Sequence, residues 1–101
     1  MTVNHELRQN MLIFYLAGEL DHHAAHDVIT YIAQQCSMNR NCSVVMDFSE
    51  VTFMDSSGLA VVLNAKRCSD RIGSRLSVCS VPPYAMKIFH AANLERIIHF
   101  E

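Results

Sequence analysis

The segment Phe53-Met54-Asp55-Ser56-Ser57-Gly58-Leu59 gathers two hydroxyls, a carboxylate and a glycine where an apolar run hands over to a helical pattern. The first N–H groups of a helix lack partners within it, and the helix dipole places about half a positive charge there, so an anion is tolerated at such a point. A phosphoryl group on Ser56 or Ser57 would add a charge of about −1.5 to −2 and three acceptor oxygens. That is enough to stop a fitted interface from closing while the fold survives. Gly58 leaves the approach to both hydroxyls free of a side chain. A plainer reading stands beside this one on spacing alone: Ser56 caps the helix and Asp55 complements its dipole.

Two other groupings invite chemistry. His22, His23 and His26 lie within one helical turn or so, and imidazoles bind zinc or nickel. No Asp, Glu or Cys follows at a set spacing to complete a ligand set, so a solvated helix start is the expectation and no metal is assigned. A serine hydrolase would use Ser57 or Ser56 as nucleophile and His90 or His99 as base. The G-x-S-x-G elbow is missing, and a short chain leaves little room for an oxyanion hole and a substrate pocket, so no catalytic residue and no cofactor is assigned. Met54 is either core or an apolar interface residue beside Ser57.

The elements that must position these residues follow from periodicity. Val3, His5 and Leu7 alternate with polar neighbours as a half-buried strand, and Gln9-Asn10 turns it into the apolar run Met11 to Ala17, a β-hairpin that Gly18 ends. Asp21 can cap a helix over about 22–36, whose apolar positions are Ala25, Val28, Ile29, Ile32 and Cys36. Val44 to Phe48 reads as a strand covered on both faces, reached by a right-handed crossover. A helix from Ser57 turns Leu59, Val62 and Leu63 inward, ends near Gly73 and carries Asp70 where the dipole disfavours it. Arg75 to Val81 alternates as a further strand, and Pro82-Pro83 opens a helix with Tyr84, Ala85, Ile88, Phe89 and Ala92 as apolar positions. Asn93 can take a left-handed cap, and Ile97, Ile98 and Phe100 form a last strand or end a helix. The sum is an α/β domain over residues 1–101, a mixed sheet with helices packed against it.

Bulk properties narrow the function. The chain has 101 residues, half of them hydrophobic and 18% charged, enough apolar surface for one core. Its formal charge of −2 and eight scattered Lys and Arg give no footprint for nucleic acid. No membrane span or signal peptide is visible, which places the chain in the cytoplasm. Cys36, Cys42, Cys68 and Cys79 form no CxxC pair and read as free, mostly buried thiols.

Gly18-Glu19-Leu20-Asp21-His22-His23-Ala24-Ala25, followed some thirty residues later by Phe53 to Leu59, resembles the anti-sigma factor antagonist family and its STAS domain fold, with the sporulation members the nearest likeness. The resemblance runs over nearly the whole chain. It implies that Ser57 is phosphorylated by a partner anti-sigma factor, a serine kinase holding ATP or ADP, and that a separate phosphatase removes the phosphate. It implies that the unmodified protein binds the kinase and releases the sigma factor, with Asp21, His22, His23, Met54, Asp55, Ser56, Ser57 and Gly58 on the partner-facing surface. It does not imply an enzyme. A non-switching STAS scaffold is the alternative, although such relatives usually lack the Ser-Ser pair. Relatives commonly continue into a further C-terminal helix, whereas this sequence stops at Glu101, leaving a face open to self-association; a monomer or weak dimer is the expected state.

Overall fold

The computed structural model describes all residues from Met1 to Glu101. The hairpin pairs β1 (Thr2–Arg8) with β2 (Met11–Leu20) in antiparallel register through Gln9 and Asn10, both left-handed at φ 49° and 64°. Two consecutive positive φ angles make the tight turn whose twist suits a hairpin, and Asn tolerates that region better than most residues. The rest alternates helix and strand: α1 (His22–Met38), β3 (Ser43–Met54), α2 (Ser57–Arg71), β4 (Leu76–Cys79), α3 (Pro83–Ala91), a 3-10 turn (Leu94–Arg96) and β5 (His99–Phe100). The sheet order is β1-β2-β3-β4-β5, with β2 to β5 parallel. Each crossover advances one strand in the same direction. Right-handed crossovers that all step one way place their helices on one face of the sheet.

The burial pattern agrees. Leu12, Phe14 and Leu16 on β2, Val44, Met46 and Phe48 on β3, and Leu76 and Val78 on β4 are all buried. Their alternates Ile13, Val45, Asp47, Ser77 and Cys79 are only half-buried, and Tyr15 is exposed. This corrects the expectation of a β3 covered on both faces: the helices cover one face and the other meets solvent, as a sheet with a hairpin edge permits. β1 is buried less than its alternation predicts, with Leu7 55% exposed, because it is the edge strand.

Gly18 does not end β2. It lies inside the strand at φ +104°, in the part of the β2–β3 ladder where bulges shift the register. Extra residues of β3 are absorbed there, so β3 passes through the polar pair Ser49-Glu50 and runs on to Met54. α1 forms over the expected face, with Ala25, Val28, Ile32 and Cys36 buried, and extends to Met38. The inner face of α2 is rotated from the expected one: Val61, Val62, Ala65 and Cys68 are buried, while Leu59 and Leu63 are only partly so. Asp70 is compensated by Lys66 one turn earlier, at 2.6 Å. Gly73 leaves α2 at φ +73°, Ser80 turns the chain out of β4 at φ 57°, and Asn93 takes the left-handed cap at φ 60°. Tyr84 is exposed rather than core, and its hydroxyl donates to the Val51 carbonyl at 2.9 Å.

Cys36, Cys42 and Cys68 are buried, Cys79 is half-buried, and none forms a disulfide. Burial, with Cys68 nearby, pushes the Cys36 thiol up to about 11, so it stays protonated. No helix is long and apolar enough to cross a membrane.

Candidate functional site

Parallel pairing brings two loops together. Glu19 lies opposite Phe53 and Leu20 opposite Met54, so β2 and β3 finish side by side at the same end of the sheet. Each strand is followed by an aspartate and then a helix. Asp21, in extended conformation, accepts the Ala24 N–H on its Oδ1 at 3.0 Å and so caps α1. Asp55 does the equivalent for α2, accepting the Ser57 N–H on Oδ1 at 2.7 Å. Ser56, with φ −63° and ψ −15°, is already helical and makes no side-chain cap bond. The simpler expectation, Ser56 as cap and Asp55 as a dipole partner, is therefore corrected: the carboxylate does the capping. The Ser56 hydroxyl is left exposed.

Asp55 also joins the two loops. Its N–H donates to the Leu20 carbonyl at 3.4 Å. The Ser57 N–H first, then the Ser57 hydroxyl and the backbone and charge of His22, hold the Asp55 carboxyl below its ordinary value against some opposing burial. A carboxyl with a depressed folded-state pKa contributes stability that is present above its unfolded pKa of about 4 and lost as pH falls through the folded value. Urea midpoints measured from neutral pH down to acid should therefore drop more steeply for wild type than for Asp55→Asn. Parallel curves would remove Asp55 from this role.

The residues singled out from sequence do converge, in three layers. Ser56, His22 and His23 are exposed, with the two imidazole rings 5.6 Å apart and inclined at 64°. Asp21, Asp55 and Ser57 are half-buried. Gly58 and Met54 are buried beneath them, and a Cβ on Gly58 would sit 2.4 Å from Met54 Sδ. Gly58 is thus small because Met54 lies under it, which replaces the expectation that it clears a path from outside.

Sequence reasoning missed two neighbours. Phe53 is 46% exposed at the same end of β3, signalled only by its place in the motif. An open hollow of about 670 Å³ lies beside α1, with Glu19, Asp21, Asp27, His23 and Tyr31 in its wall; its carboxylates lie close together in sequence, and pairing adds Val3 of β1 and Thr52 of β3. An acidic wall of this kind suits basic side chains of a partner.

The rival chemistries find no geometry. No three His, Cys, Asp or Glu side chains, His22, His23 and His26 included, are grouped so that they could hold a metal ion. His90 is held by Glu95 at 2.6 Å and His99 lies 3.8 Å from Glu101, both near the end of the sheet opposite the serines, so neither serves Ser56 or Ser57 as a base.

A model of the STAS domain matches residues 2–101. A curated relative from Paenibacillus polymyxa, an anti-sigma F factor antagonist, is 30% identical over 97% of this chain and 84% of its own length. The solved structure of the Bacillus cell fate determinant SpoIIAA in its phosphorylated form is 25% identical, covers 99% of this chain and 91% of that one, and superposes with a TM-score of 0.75. An anti-sigma factor antagonist from Mycobacterium paratuberculosis shares the fold at a TM-score of 0.84, with 20% identity over 98% of this chain and 83% of that chain.

Proposed function

Because the chain belongs to the STAS domain family, we propose that it is an anti-sigma factor antagonist that acts by binding and is switched by phosphorylation of Ser57. The observation that carries this reading is the position of Ser57. It is half-buried in the first turn of α2, with its N–H on Asp55, next to the exposed Ser56, His22 and His23. The relative named above as an anti-sigma F factor antagonist supports the activity, and the solved phosphorylated form of SpoIIAA supports the modification.

In this proposal the partner is an anti-sigma factor serine kinase, which brings the ATP; the chain is not itself an enzyme. The unmodified surface of Asp21, His22, His23, Asp55, Ser56 and Ser57 meets the kinase and releases the sigma factor. Met54 and Gly58 set the height of that surface from below. A phosphoryl group on Ser57 stands at a helix N-terminus, where the fold accepts it, but it places roughly two negative charges beside the Asp55 carboxylate in the contact face. The fold persists and the kinase no longer docks, until a phosphatase removes the group. The setting is the cytoplasm of a sporulating cell, with the antagonist a monomer or weak dimer.

The test is intact mass after incubation with the anti-sigma kinase and ATP, for wild type, Ser56→Ala and Ser57→Ala. One added phosphate on wild type and on Ser56→Ala, and none on Ser57→Ala, is the expected result. No addition to wild type by a kinase active on another antagonist sinks the switch.

A further inference from the structure

We propose that a second site, at the opposite end of the sheet from Ser57, binds a small phosphate-bearing anion. β4 and β5 begin at that end and α2 finishes there. Between them lies an open hollow of about 530 Å³, within the size range of small-molecule sites, whose wall includes Lys66, Ser74, Arg75, Glu95, Arg96 and His99. Three of the chain's eight Lys and Arg residues line it, in a protein whose formal charge is −2.

The cations are not all used internally. Lys66 is paired with Asp70, but neither Arg75 nor Arg96 takes part in any ion pair of the fold. Glu95, the one carboxylate in the wall, is held by His90 at 2.6 Å. The two guanidinium groups come from separate, ordered stretches of backbone. The Arg75 carbonyl accepts the Val44 N–H at 2.9 Å as β4 begins, and the Arg96 N–H donates to the Asn93 carbonyl at 3.4 Å in the 3-10 turn.

Two unpaired arginines facing one hollow fit an anion rather than a neutral ligand, and a phosphate, with more than one negative charge and several acceptor oxygens, can take both forks at once. The planar guanidinium fork matches pairs of phosphate oxygens, and charge-assisted bonds of this type are about twice as strong as neutral ones. The Ser74 hydroxyl adds a neutral donor. The cationic residues ring a hollow rather than forming a stripe, which selects a compact anion over a nucleic-acid backbone. Separation from Ser57 by the length of the sheet makes this binding independent of the phosphorylation proposed above.

Inorganic pyrophosphate titrated into the full-length ¹⁵N-labelled chain is the direct test. Saturable amide shifts are expected in Ser74–Leu76 and Glu95–His99, with Asp55–Gly58 unmoved. Raising the salt should weaken them, because exposed charges are screened over about 10 Å at 0.1 M. Both arginines are exposed, so Arg75→Gln/Arg96→Gln leaves the fold intact, and it should bind at least about tenfold more weakly. Absence of saturation by about 10 mM, or equal binding by the double variant, overturns the proposal.

Discussion

Phe89→Ala is expected to remove about 3–5 kcal/mol of stability, a large share of the roughly 5–15 kcal/mol that holds a domain of this size. The ring is fully buried, meets Phe48 edge-on with centroids 5.7 Å apart, and lies 5.5 Å from Phe100. Those contacts fasten to β3 two elements that have little else. α3 spans nine residues and buries only Ala85 and Phe89, and a helix that short has little stability of its own. β5 spans two residues, paired as Ser77 with His99 and Val78 with Phe100. Deleting the ring leaves a cavity between helix and sheet and unfastens the β5 edge from its cover. Denaturant unfolding should give the loss directly. Hydrogen exchange should show where it falls: the Glu101 N–H, bonded to the Val78 carbonyl at 2.9 Å, loses protection before the first turn of α2 does. A loss below about 1 kcal/mol would mean that neighbouring side chains refill the space, and Phe89 would no longer be the fastening point.

The order of elements was legible because each segment keeps one period. Ala25, Val28, Ile32 and Cys36 recur at helical steps and are buried as read, Leu76 and Val78 alternate and are buried as read, and Asp21 caps α1 as its residue type promises. What escaped depended on contacts between segments. β3 looks finished at Phe48 because Ser49-Glu50 breaks the apolar run, and only the bulged pairing with Ala17 to Leu20 carries it on to Met54. The open face of the sheet was hidden because Val45 is as apolar as Val44, and periodicity cannot say which of two apolar neighbours finds a helix above it. At the site, the motif identified the residues but not their layering. Whether Ser56 or Asp55 caps α2 turns on backbone angles, since either side chain can accept the N–H, and Ser56 had already entered the helix. The hollow beside α1 escaped because, although Glu19, Asp21 and Asp27 are close in sequence, the rest of its wall, Val3 of β1 and Thr52 of β3, is brought up only by strand pairing.

Gly58→Ala is the second large effect, and its sign opposes backbone preference. At an interior helix position alanine is favoured over glycine by roughly 0.5–1 kcal/mol, an upper limit for Gly58 in the first turn of α2, and Gly58 has no left-handed backbone that only glycine would suit. The added Cβ would nevertheless meet Met54 Sδ at 2.4 Å, Cγ at 2.6 Å and Cε at 3.1 Å. The thioether end could swing aside, but Cγ is only one atom beyond Cβ and moves only if χ1 changes. Met54 is 4% exposed and its backbone is fixed opposite Leu20, so a new rotamer has no ready space. Overpacking of this kind typically costs about 1–3 kcal/mol, more than the helix gains. Net destabilisation is therefore expected, read as a lower urea midpoint at unchanged slope. The cause can be isolated: Met54→Ala alone should cost about 2–5 kcal/mol, and with Met54→Ala already in place Gly58→Ala should become neutral or stabilising, so the pair is coupled. Stabilisation by the single Gly58→Ala change would show that Met54 yields freely. The alternative relief, a lift of the first turn of α2 away from β3, would carry Ser57 and its bond to Asp55 outward. In that case a change made wholly inside the core would slow the phosphorylation proposed for Ser57 without altering any surface side chain.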